Sequence, residues 1–405
     1  MGTITQAIRV TFQFPVHFTT GVFASTNAVL RTLVEGGSDR LPSDTLVVVD
    51  EGVARAHPGL VDDIERYCRE HATAIRLAGE VVVLPGGEQV KNDPRYVDQL
   101  HRAIHEAALC RHSYVLAVGG GALLDLAGYA ASTAHRGLRI IRVPTTVLAQ
   151  DDSAVGVKNG VNAFGSKNYF GTFAPPFAVI NDFSFLATLA ERDWLSGLSE
   201  AVKAALIKDP AFFAELERSV ERLVARDATV MEQVIRRSAA LHLAHIANGG
   251  DPFELGSSRP LDFGHWAAHK LELLTEHRLR HGEAVAIGLA LDCTYARLSG
   301  WLPEADWRRI IGVLQGLRLA VHVPELDDHP GDASHPRAVL RGLEEFREHL
   351  GGRLTLLMLR GIGHPFEVHE VDARVMIHSI DVLRGLQEAR STAPGLAGAL
   401  PRATP

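Results

Sequence analysis

HSYVLAVGGGALLDLAGYAASTA, residues 112–134, decides the fold. A short apolar run meets three glycines, Gly119, Gly120 and Gly121, and a helical pattern follows. A buried strand turning tightly into a helix is the repeating unit of a parallel α/β sheet. The same rhythm extends to both sides. DTLVVVDEG (44–52) reads as strand and turn, and VARAHPGLVDDIERYCREH (53–71) as helix. EVVVLPGGE (80–88), PRYVDQLHRAIHEAAL (94–109) and LRIIRVPTT (138–146) continue as strand, helix and strand. The pattern predicts a mainly parallel sheet with helices on its faces and ligands at the carboxyl ends of its strands.

The character changes near residue 190. LAERDWLSGLSEAVKAALIKD (189–209), PAFFAELERSVERLVAR (210–226), TVMEQVIRRSAALHLAHIAN (229–248), GHWAAHKLELL (264–274) and EAVAIGLALDCTYARLSG (283–300) all read as helix. The chain therefore divides into an α/β domain at 1–190 and a mostly helical domain at 191–388. A tail at 389–405, rich in Ala, Pro and Gly, is expected to be disordered. No repeat at solenoid periods is present. The 405 residues are 46% hydrophobic and 22% charged, ordinary globular values. A net charge of -7 gives no basic field for nucleic acid or anionic membranes. Cys68, Cys110 and Cys293 are scattered without CxxC spacing, which fits a reducing cytoplasm. MGTITQAIRVTFQF lacks the basic and apolar regions of a signal peptide, and no apolar run is long enough for a membrane helix.

The three glycines let backbone N–H groups approach a phosphate, and the following helix N-terminus favours its charge. A tight connection without ligand reads equally well, because the run is not GxGxxG. Asp125 sits on the first turns of that helix. Asp50, ending its strand, is either a ribose acceptor or a solvated strand end. In the helical half, Glu200, His265 and His281 make a carboxylate and two imidazoles, a set that suits a catalytic zinc. His265 and His269 share a helix face at i,i+4, and Glu200 and Lys203 at i,i+3. With 20 histidines in the chain, spacing alone leaves several other sets open.

GGGALLDLAG, RGLRIIRVPTTVLAQDDSAVGVKNGVN, SKNYFGTFAPP, TLAERDWLSGLSEAVKAALI, FGHWAAHKLE and HGEAVAIG occur in order. Together they resemble 3-dehydroquinate synthase and its sugar phosphate cyclase relatives, over roughly residues 45–300. The resemblance implies a Rossmann-like NAD-binding domain, a helical metal-binding domain, substrate in the cleft between them, and a homodimer. It implies zinc or cobalt at Glu200, His265 and His281. NAD contacts would come from Asp50, Glu88, Lys91, Gly120, Gly121, Asp125, Thr145, Thr146 and Lys167. Asp152, Lys158, Asn168, Lys203 and His269 would face the substrate, with Arg136 and Lys158 near its phosphate. As side chains alone, Lys158, Lys203 and Arg136 also read as solvated surface charge. The implied chemistry is transient oxidation by NAD, loss of phosphate, re-reduction and an intramolecular aldol.

The chain departs from dehydroquinate synthase where that enzyme meets a carboxylate. Its motif reads LNFGH after an acidic pair and an arginine. Here GGDPFELGSSRPLDFGH (249–265) places Asp262 at the asparagine and Ser258 at the arginine, with Arg259 one residue off. A family lysine falls at Ala244, between His242 and His245, and a second near the C-terminus becomes His349 in FREHLGG. Two lost cations and a gained carboxylate would repel a substrate carboxylate and accept from hydroxyls. PLDFGH and His349 resemble the sedoheptulose 7-phosphate cyclases of the 2-epi-5-epi-valiolone synthase type. That substrate is the expectation. A divergent dehydroquinate synthase would need Arg259 to swing into the missing cation's place. A deoxy-inosose-type cyclase, a glycerol-dehydrogenase-like oxidoreductase and a non-catalytic nucleotide scaffold are the other readings.

Overall fold

The computed structural model describes residues 3–38, 40–249, 251–256 and 259–392. Two compact units emerge. One holds residues up to Thr145 together with Val157–Ser184. The other holds Thr146–Gly156 and the chain from Phe185 onward. The boundary thus falls before residue 190, and one short segment changes sides. Its reason is local: the Val147–Asp151 helix is buried against the Leu198–Lys208 and Ala228–Asn248 helices.

In the first unit, β1 (Val16–Thr19), β2 (Ser43–Asp50), β3 (Ile75–Leu77), β4 (Val82–Leu84), β5 (Tyr114–Gly119) and β6 (Arg139–Pro144) are joined by β9 (Ala178–Asp182). The order is β1-β9-β6-β5-β2-β3, with β4 also on β2. Every pairing in this sheet is parallel. Each residue of β5 and β9 is buried, as a sheet covered on both faces requires. The strands named from sequence are present, although EVVVLPGGE supplies only three strand residues. Short β1 and β9 were not anticipated.

Neither was the antiparallel hairpin of β7 (Lys158–Ala163) and β8 (Ser166–Phe173). It lies on the helix Gly121–Thr133, which is made mostly of small and aliphatic residues. A Cβ at Gly128 would fall 1.8 Å from Asn159 Oδ1, so only glycine lets the hairpin settle there. Buried Arg142 of β6 donates to Asn159 Oδ1 at 2.6 Å and to the Lys158 carbonyl at 3.3 Å, fixing the hairpin's first residues.

The second unit is helical, apart from the small antiparallel pair Leu356–Leu359 and Pro365–Val368. Its centre is the helix His281–Leu298, buried along nearly its whole length. It touches the helix His265–Leu274 at a glycine pair. A Cβ on Gly288 would lie 2.0 Å from the Gly264 carbonyl oxygen, and Gly264 itself has φ +79°. At the other end, a Cβ on Gly282 would lie 1.9 Å from the Ser196 carbonyl oxygen. These contacts fix where three helices begin relative to one another. The C-terminal helix Ala373–Thr392 continues past Ala389, where the sequence reading begins its tail. The rest of that tail, 393–405, lies outside the described residues. Among the described residues no helix is long and apolar enough to cross a membrane.

Gly288→Ala has no room for its methyl without moving backbone. It is expected to lower the melting temperature by about 5 °C or more. A thermal denaturation curve superposing on the parent would contradict this reading of the contact.

Candidate active site

Three helix N-terminal regions of the second unit meet around one carboxylate. Glu200 lies in the first turn of Leu198–Lys208 and is fully buried. His265 and His281 are each the first residue of their helices. Glu200 Oε1 is 3.6 Å from His265 Nε2 and 3.4 Å from His281 Nε2. The tautomers follow from the other ring nitrogens. His265 Nδ1–H donates to the Phe263 carbonyl at 3.1 Å. His281 Nδ1–H donates to Glu272 Oε2 at 3.0 Å. Both Nε2 lone pairs therefore point at a carboxylate oxygen. Three acceptors facing one another repel unless a cation lies between them. Neither Glu200 oxygen has a hydrogen bond of good geometry, although Lys203 Nζ approaches Oε2 to 2.5 Å. Carboxylate plus two Nε2 atoms is a donor set that suits a divalent metal.

Electrostatics keep the donors in ligand form. Burial, then Lys203, pushes His265 down to about 4, so it is neutral near pH 7. Burial raises Glu200, but the Lys203 ammonium outweighs it and holds the group at about 2. Lys203 is raised in turn: burial disfavours its charge, and Asp152 and Glu200 more than compensate. Asp152 lies 3.9 Å from Lys203 and accepts from His242 Nδ1 at 2.7 Å. Burial would raise it, yet Lys203 and His242 hold it far below the usual carboxylate range. Its neighbour Asp151 is the opposite case. Neither of its buried oxygens has a hydrogen-bond partner. Burial, reinforced by Asp152 and Glu200, drives it well above the ordinary carboxylate value.

Of the expected substrate residues, Lys203, Asp152 and His269 are here, with the His269 ring 5.4 Å from that of His265. Asp262, on the turn Pro260–Asp262, lies near enough to act on the charges of Lys203 and His265. The His349 backbone ends the helix Arg341–His349, but its side chain lies outside the described residues, as does Ser258. Sequence reasoning left out Glu272, Asp151 and the pairing of His242. His269, Glu272 and His281 also form a compact ligand set. Since Glu272 already accepts from His281 Nδ1, it is the carboxylate that orients a ligand, a common support for metal-bound histidine.

The first unit gathers a separate polar cluster. Buried Lys91 bonds to Asp125 Oδ2 at 2.8 Å and Asn168 Oδ1 at 2.5 Å, with Glu88 at 3.6 Å. Asn162, also not anticipated, donates to Glu88 at 3.0 Å. The hairpin carries Asn168, expected to face substrate, to Lys91. The Gly120 N–H donates to the Asp50 carboxylate, and the Gly121–Thr133 helix that follows has no side-chain cap of its own, so its first N–H groups face outward from the turn. Thr145 donates its N–H to the Gly119 carbonyl at 3.0 Å, beside this turn. Thr146 belongs to the second unit, where its hydroxyl caps Val147–Asp151. Lys167 lies on β8 and Lys158 is exposed at the start of β7.

Asp50 is buried rather than a solvated strand end. Its carboxylate caps Glu51–Ala56 through the N–H groups of Gly52 and Val53, and a Cβ on Gly86 would strike it at 2.3 Å. Arg136 is exposed just beyond the C-terminus of Gly121–Thr133. A helix of 13 residues, roughly 20 Å long, separates it from the glycine turn, because it precedes β6 at the amino edge of the sheet.

Residues 81–196 match the family model "3-dehydroquinate synthase N-terminal", and 197–336 match "3-dehydroquinate synthase C-terminal". The 3-dehydroquinate synthase of Acinetobacter baumannii (strain SDF) is 34% identical over 320 residues, covering 78% of this chain and 85% of that protein. The chain belongs to the 3-dehydroquinate synthase family of sugar phosphate cyclases. Among solved structures, 2-epi-5-epi-valiolone synthase from Streptomyces hygroscopicus subsp. jinggangensis 5008, with NAD+ and Zn2+ bound, superposes with a TM-score of 0.83. The identity is 28%, over 95% of this chain and 100% of that one. A 2-deoxy-scyllo-inosose synthase complexed with carbaglucose-6-phosphate, NAD+ and Co2+ gives 0.72 at 24% identity, over 90% of this chain and 95% of that one, a likeness of fold alone.

Glu272→Gln keeps the shape but weakens the acceptor that holds His281. Its zinc affinity is expected to fall about 10–100-fold, measured by competition with a chromophoric chelator. Unchanged affinity would show that Glu272 does not orient the ligand.

Proposed function

We propose that this protein cyclises sedoheptulose 7-phosphate to a seven-carbon cyclitol of the epi-valiolone type, with loss of phosphate. Glu200, His265 and His281 hold a divalent metal, and the Lys91, Asp125 and glycine-turn region holds NAD. When bound, these groups supply a Lewis acid and a reversible hydride acceptor. The protein's own residues hold and select. Lys203 keeps Glu200 ionised and presents the buried ammonium beside the metal ligands. Asp262 accepts hydrogen bonds from hydroxyl groups and repels a carboxylate.

The observation that carries the substrate is the placement of Arg259. Its Nη1 donates to the carbonyls of Glu254 at 2.6 Å and Gly256 at 2.9 Å, and its Nε lies 3.4 Å from Glu254 Oε2. Arg259, the cation beside the motif among the described residues, is thus tied to its own loop. What remains beside the metal ligands is Lys203 among Glu200, Asp152 and Asp262, an environment for a neutral polyol end. The structural likeness to a 2-epi-5-epi-valiolone synthase supports the same reading. The second reading, 3-dehydroquinate synthase itself, has the names of the curated relatives in its favour.

Phosphate release separates the two. Zinc-loaded protein with catalytic NAD is offered sedoheptulose 7-phosphate and the carboxylated heptulosonate phosphate in parallel. Release from the first alone, without net NADH, is expected. Asp262→Asn is expected to lower that kcat/KM at least about tenfold, roughly the worth of one hydrogen bond to a charged group. Release from the carboxylated substrate alone would make the protein a dehydroquinate synthase.

A further inference from the structure

His242, on the helix Ala228–Asn248, is built like a proton-transfer residue. It projects from the middle of Ala228–Asn248. Its Nδ1–H donates to Asp152 Oδ1 at 2.7 Å, and the side chain is 13% exposed. An ionised carboxylate only accepts, so the proton is on Nδ1 and the Nε2 lone pair is free to act. Gly156 borders the second ring nitrogen: a Cβ there would lie 3.6 Å from Nε2, an ordinary van der Waals distance. An imidazole oriented by a carboxylate at one nitrogen, with a lone pair on the other, is the arrangement used for general acid–base catalysis.

The surroundings fit that task. The segment Val147–Val155 presents Asp151 and Asp152 to this helix, and Leu198–Lys208 presents Lys203 behind Asp152. The Pro210–Val224 helix and its cap present Glu215 and Asp209, which are engaged by Arg237 on His242's own helix. Asp152 therefore links His242 to Lys203, and Lys203 to the metal ligand Glu200.

We propose that His242, oriented by Asp152, is the acid–base residue for a substrate hydroxyl that is oxidised and later restored. The inference rests on the cyclase reading. In the oxidation, carbon gives hydride to NAD and the O–H electron pair becomes the second C–O bond. The hydroxyl proton moves to His242 Nε2. In the re-reduction, hydride returns to carbon and that proton returns to oxygen, so neither is consumed over the cycle.

The test uses the full chain with zinc, NAD and sedoheptulose 7-phosphate. His242→Gln is expected to lower kcat for phosphate release at least about 100-fold while KM changes less than about threefold. The acidic limb of kcat against pH should disappear, with zinc content as in the parent. His242→Ala is expected to regain at least about tenfold on adding imidazole, which a merely structural histidine would not allow. A His242→Gln enzyme within about threefold of the parent, its acidic limb intact, overturns the assignment. So does a zinc-replete His242→Ala that imidazole leaves unchanged. Parent enzyme that releases no phosphate would refute the cyclase reading itself, a result visible before either variant is made.

Discussion

The Lys203 ammonium, 3% exposed and held between Glu200 and Asp152, is the interaction on which the site depends. Burying a charge is costly unless it is paired. Here one cation serves two carboxylates, while burial and its acidic neighbours push Asp151 away from the ionised form. Removing the ammonium would leave the buried Glu200 carboxylate without its cationic partner, a loss of about 3–5 kcal/mol. With the ammonium in place, Glu200 remains an ionised ligand and His265 remains neutral. The two imidazoles then turn their lone pairs to the same point as Glu200. Charge balance and lone-pair geometry lead independently to a dication.

Packing delivers those donors. His265 and His281 begin their helices at the places where Gly264 meets Gly288 and Gly282 meets Ser196. No side chain is available at these contacts to absorb an error. The helix starts, and the ligands on them, are thereby set by backbone approach, while Glu272 and the Phe263 carbonyl set the ring tautomers. The first unit uses the same device at Gly128, which seats the hairpin that brings Asn168 to Lys91 and Asp125.

The α/β rhythm was legible because β2, β5 and β6 are apolar runs that end in recognisable turns. The hairpin was not, since β8 is mostly exposed and carries no apolar alternation. The metal set was legible only through resemblance: among 20 histidines, spacing does not single out two. Residues whose partners are distant along the chain stayed hidden. His242 and Asp152 are 90 positions apart, and nothing local in LHLAH marks their contact. Asp50 has a local role that its strand pattern did not announce: its carboxylate caps Glu51–Ala56.

The central claim is that Glu200, His265 and His281 together hold one metal ion. X-ray absorption at the zinc edge, on full-length protein loaded with one equivalent of zinc, tests it most directly. The account predicts two imidazole nitrogens and one carboxylate oxygen in the first shell at about 2.0–2.2 Å, with one imidazole lost in His265→Ala. A third imidazole, which would bring in His269, or a sulfur ligand would contradict it.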